Sequence, residues 1–93
     1  MSAYAWIVTA DHIFDPEFDT RPVVGVMGPS TAPEALIEGP QAGAGEPFSM
    51  YDDDGEHYYD GRIIGDFEGL EPLDDFGAPY AGATEIRING IQI

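Results

Sequence analysis

Carboxylates are the chemically capable side chains in greatest supply here, and they gather in one stretch, Glu46 to Phe76 (EPFSMYDDDGEHYYDGRIIGDFEGLEPLDDF). Within it Asp52-Asp53-Asp54-Gly55-Glu56 invites comparison with a calcium-binding loop. Such a loop places oxygen ligands at alternate positions ahead of a glycine at position six and closes on a glutamate at position twelve. With Gly55 at position six, Asp52 and Asp54 fit, but position one is Met50 and position twelve is Gly61. The pattern fails at both ends. An ordinary Asp-Gly turn accounts for the same residues, and a calcium-binding or structural accessory domain without enzymatic activity stands as the alternative.

His12 and His57 are the only imidazoles. Asp11-His12 or Glu56-His57 could supply part of a two-histidine, one-carboxylate metal site. Nothing in the spacing brings the two histidines together, so the expectation is two solvated side chains, no metal and no other cofactor. Paired carboxylates such as Asp74-Asp75 can do acid–base work only in a cleft that separates their roles. Gly25-x-x-Gly28 and Gly61-x-x-x-Gly65 lack the lysine and following helix of a phosphate loop. There is no nucleophile elbow. No catalytic residue emerges, and the chain is not expected to be an enzyme.

The elements that must carry these residues can be read from pattern. Two β-prone runs, near 47–52 and 57–64, flank the Asp-Gly turn and predict a hairpin. In its first arm Phe48 and Met50 share one face and Tyr51 takes the other. Residues 3–10 (AYAWIVTA) alternate Tyr4, Trp6 and Val8 with smaller side chains and predict a central strand. Asp11 to Asp19 reads as a loop with Phe14 or Phe18 turned inward. Arg21 to Met27 reads as a second strand opened by Pro22 and closed by Gly28-Pro29-Ser30.

Thr31-Ala32-Pro33-Glu34 fits a capping box, with Thr31 as N-cap and a short helix running to Gly39-Pro40. Leu36 and Ile37 should dock that helix on the sheet. Gln41 to Gly45 is a flexible link. Asp66 to Pro79, punctuated by Gly69, Pro72, Gly77 and Pro79, reads as an ordered loop anchored by Leu70, Leu73 and Phe76. Ala83 to Ile88 is a last strand, and Asn89-Gly90 turns it into a three-residue arm. The expected fold is one α+β domain over residues 1–93, an antiparallel sheet of about five strands with one short helix on one face.

Composition adds charge to this picture. Ninety-three residues carry 18 Asp and Glu against three Arg, a formal net charge of −15, with 43% hydrophobic and 12% aromatic content. That is apolar enough for a core, so disorder is not expected. The absence of cysteine excludes a disulfide framework. No membrane-length apolar run or basic leader occurs, and a cytoplasmic protein is the expectation. Direct binding to nucleic acid or anionic membrane is disfavoured by sign. The same field steers the chain towards a basic partner. Salt-adapted or high-GC proteins reach similar acidity without an acidic binding site, and that reading competes.

The run FSMYDDDGEHYYDGRIIGD followed by PLDDFGAPYAGATEI resembles a group of short acidic bacterial proteins, over roughly the second half of the chain. That resemblance implies no activity. In size and charge the chain is also similar to nucleic-acid-mimic inhibitors of the anti-CRISPR and anti-restriction type, carried by phage and mobile elements. That second likeness implies carboxylates placed where phosphates would lie, and a partner that is a basic nucleic-acid-binding protein or complex. The expected interface is Asp52, Asp53, Asp54, Glu56, Asp60, Asp66, Glu68, Asp74 and Asp75, with Tyr58 or Tyr59 at its centre. Exposed tyrosines suit such a role because they give contact area at low entropic cost.

Overall fold

A computed structural model describes residues 3–17 and 23–93. Among these residues six strands form one antiparallel sheet: β1 (Tyr4–Asp11), β2 (Met27–Gly28), β3 (Glu46–Tyr51), β4 (His57–Gly65), β5 (Glu85–Ile88) and β6 (Ile91–Gln92). Their spatial order is β2-β1-β4-β3-β5-β6. The α+β class and the antiparallel sheet are as the pattern implies. The hairpin is β3 and β4, registered Phe48 on Gly61 and Met50 on Tyr59.

One face of the sheet is the core. Trp6, Val8, Phe48, Met50, Tyr59, Ile63, Ile86 and Ile88 are buried there, joined by Leu73 and Ala83 from outside the strands. Period-two alternation places them together. Gly61 makes the packing possible, because a Cβ there would lie 2.1 Å from the Ile7 carbonyl oxygen and 2.3 Å from the Phe48 ring.

Among the described residues two helices cover the sheet, on opposite faces, where the sequence suggests one. The first, α1 (Glu34–Gln41), lies against the non-core face, with Gly39 over Ile64. Thr31 is not its cap. Pro33 occupies the N-cap position without a side-chain cap. The reason is steric: a residue preceding proline is driven from the α region, so Ala32 cannot open a helix and the first turn waits until Pro33 is passed.

The second, α2 (Leu73–Ala81), is wound as a wide π-helix over the core face, where the glycines and prolines suggest a loop. Pro72 stands at its N-cap, where a missing N–H costs nothing. Pro79 would crowd the carbonyl four residues back in a regular α-ladder, which favours wider winding. Gly77 brings the helix backbone onto Met50. Of the three expected anchors, Leu73 is buried and Phe76 packs against the core, whereas Leu70 is exposed.

The second strand also differs from expectation. Val23 to Val26 forms a turn closed by the Val26 N–H on the Val23 carbonyl; its Gly25 N–H and Val26 carbonyl bond the Val8 backbone, and the strand itself is only Met27–Gly28, with Gly28 under the Trp6 ring. Arg21, Pro22 and Phe18 lie outside the described residues. Asn89 and Gly90 both have positive φ (53° and 79°), as the Asn-Gly turn requires, and the last arm pairs as β6.

Candidate functional site

The non-core face beyond α1 carries a polar cluster on β3, β4 and the end of β1. At its centre is the Asp60 carboxylate. One oxygen, Oδ2, lies 2.7 Å from His12 Nε2. The other, Oδ1, lies 2.6 Å from His57 Nε2 and accepts from the Ser49 hydroxyl at 2.6 Å. The imidazoles stack at 3.9 Å with 26° between their planes, and Tyr51 stacks on the far side of His57 at 4.7 Å. The Arg87 guanidinium caps the column, 4.4 Å above the Tyr51 ring.

Two β-bulges assemble this cluster. Three residues along a regular strand, His57 and Asp60 would face opposite ways. The register slips between Met50/Tyr51 and Tyr59/His57, leaving Tyr58 as the extra residue, and His57 comes round to the Asp60 side. A matching slip between Val8 and Ala10 leaves Thr9 extra in β1 and re-phases the strand end. His12 then donates its backbone N–H to the Tyr58 carbonyl and turns its ring onto Asp60. The expectation of two separate, solvated histidines is therefore corrected: pairing between distant strands brings them together, which no spacing along the chain records. The histidines converge, but with Asp60 rather than Asp11 or Glu56. Asp11 instead accepts the Ile13 and Val23 N–H groups.

Partial burial pushes the Asp60 carboxyl up, while the hydrogen bonds from Ser49, His12 and His57 pull it down and prevail. Its pKa sits below the ordinary carboxylate value.

The carboxylates expected to share one interface are divided among different jobs. Asp53, Asp54 and Glu56 are exposed at the hairpin tip. Asp52 holds that tip together: its Oδ1 accepts the backbone N–H of Asp54 at 2.9 Å and of Glu56 at 2.8 Å. The same oxygens lie close to those of Asp53 and Asp54, yet the turn alone explains the arrangement. Asp66 follows β4 at the opposite end, nine residues away, or roughly 30 Å at strand rise. Glu68 is exposed, and Glu71 accepts the N–H groups of Glu68 and Gly69.

On α2, Asp74 and Asp75 are both exposed, and Asp75 also receives the Tyr4 hydroxyl at 2.7 Å and the Trp6 indole N–H at 3.1 Å on one oxygen. Of the tyrosines proposed for an interface centre, Tyr59 is a core residue, 1% exposed. Tyr58 is half-buried beside Asp52, and burial followed by the Asp52 charge and hydrogen bond raises its phenol pKa. Among the described residues little positive charge offsets these acids. Arg62 donates to the Gly45 carbonyl and Arg87 lies near Glu85 at 4.0 Å.

No protein-family model, curated protein or solved structure matches the chain. No helix among the described residues is long and apolar enough to cross a membrane.

Proposed function

We propose that this protein is a non-enzymatic acidic binding domain that engages a basic nucleic-acid-binding protein, such as a defence nuclease, in place of its nucleic acid. The observation carrying this reading is the unneutralised charge: −15 over 93 residues, with Asp53, Asp54 and Glu56 exposed together on the hairpin tip. Such a surface accelerates encounter with a basic groove and repels nucleic acid itself. Tyr51 and Tyr58 flank the tip, while Asp60 is engaged by Ser49, His12 and His57, and Asp75 by Tyr4 and Trp6.

The test is capture of partners from native host lysate at low and high salt, with duplex DNA as competitor, using the wild-type chain and a variant carrying Asp53→Lys, Asp54→Lys and Glu56→Lys. Asp52 is left in place because the turn depends on it. A nucleic-acid-binding protein retained by the wild type, displaced by DNA, and associating at least about tenfold more slowly with the variant is the expected result. Equal association of both forms with the same salt dependence would end the proposal.

A further inference from the structure

We propose that His12, His57 and Asp60 form a binding site for one transition-metal dication of the zinc type, with its remaining coordination positions open to water. This stands independently of the acidic tip. Two imidazole nitrogens and a carboxylate oxygen are a donor set that zinc accepts readily, whereas calcium and magnesium prefer oxygen alone.

The geometry is close to what such an ion needs. The ligand atoms lie within 4.8 Å of one another, and the stacked rings aim both Nε2 atoms at one carboxylate. Zinc bonds of about 2.0–2.1 Å arranged tetrahedrally set neighbouring ligand atoms roughly 3.3 Å apart. Each contact, now 2.7 and 2.6 Å, would therefore open by roughly 0.6 Å as the ion replaces the bridging protons.

The supports of a ligand set are also present. Ser49 fixes Asp60, Tyr51 backs the His57 ring, and the His12 backbone is tied to Tyr58. Outer partners of this kind orient ligands and tune affinity. The three side chains are 31–40% exposed, so the ion can enter and water can complete its shell. The Asp52–Asp54 cluster offers oxygens only, with Asp52 already engaged by two N–H groups, and carries no comparable inference.

The experiment titrates Zn²⁺ into chelator-treated wild-type protein in excess Mg²⁺, which occupies the general acidic surface, by calorimetry and by NMR of the histidine ring protons. One equivalent of Zn²⁺ should bind, moving both histidine signals together and saturating at that equivalence. His57→Ala should weaken binding by about 100-fold or more, while Asp53→Asn with Asp54→Asn leaves it unchanged. Histidine signals that stay still at one equivalent would overturn the proposal. So would equal affinity in a folded His57→Ala protein, or displacement of Zn²⁺ by Mg²⁺. Should His57→Ala fail to fold, the wild-type ring signals decide the matter alone.

Discussion

Asp75 and Asp74 are adjacent acids on one helix, and replacing either with alanine removes the same charge. The structure makes the outcomes differ. Asp75 is the acceptor for the indole N–H of Trp6, a residue only 3% exposed, and for the Tyr4 hydroxyl. In Asp75→Ala the indole N–H is left without its partner at the edge of the core, which costs about 1–3 kcal/mol. The Tyr4 hydroxyl is better placed to find water, so its loss adds about 0.5 kcal/mol. Removing one negative charge from a chain at −15 returns a few tenths, roughly as for other exposed sites.

The net expectation is a loss of about 2 kcal/mol, or a Tm drop of roughly 8–16 °C for a domain of this size. Asp74→Ala should stay within about 0.5 kcal/mol of wild type. The difference between the two variants isolates the hydrogen bonds, because the charge change cancels. Urea unfolding followed by circular dichroism and by fluorescence of Trp6, the single tryptophan, measures it. Variants that agree within about 0.5 kcal/mol would refute the assignment of Asp75 to a structural role.

The same pair yields a pH prediction. Burial, then the Asp75 hydrogen bond and charge, raise the Tyr4 phenol above its ordinary value of 10.0. A group whose pKa is raised by folding stabilises the fold below its unfolded value and loses that contribution as pH climbs past it towards the folded one. Tyrosinate absorbance should show Tyr4 ionising earlier in Asp75→Ala, and the stability gap between variant and wild type should narrow above pH 10. Gly61→Ala should cost about 1–3 kcal/mol or more through overpacking against Ile7 and Phe48, seen as a lowered thermal midpoint. At the hairpin tip, Asp52→Ala should cost about 1 kcal/mol by freeing two backbone N–H groups. Asp53→Ala should be neutral within about 0.5 kcal/mol; equal thermal midpoints for the two would refute the capping role of Asp52.

Much of the scaffold is legible in the residues. Alternation in AYAWIVTA, Phe48 and Met50 about an Asp-Gly turn, and Ile86 with Ile88 mark strands and their buried face, because a strand's period is two and one face must leave water. The Asn89-Gly90 turn is equally local, since positive φ at successive residues has few solutions. Pattern reading misleads where a breaker is used constructively. Pro72, Gly77 and Pro79 suggest a loop, yet Pro72 sits where no donor is needed, and Gly77 is required by the approach to Met50. In the capping box the Thr-x-x-Glu spacing is present, but Pro33 forbids the helical geometry of the residue before it.

Sequence alone determined the charge, the absence of cysteine, the hairpin and the apolar face, since each follows from composition or from neighbours a few residues apart. Tertiary structure decided which acids stand free and which are spent on the fold: Asp52 on its turn, Asp75 on Trp6 and Tyr4, Asp60 on Ser49 and two histidines. It also decided that His12 and His57 meet. Each bulge shifts strand phase by one residue, and a one-residue shift exchanges the faces of everything beyond it. That shift is set by pairing between strands distant in the chain, and no spacing along one of them records it.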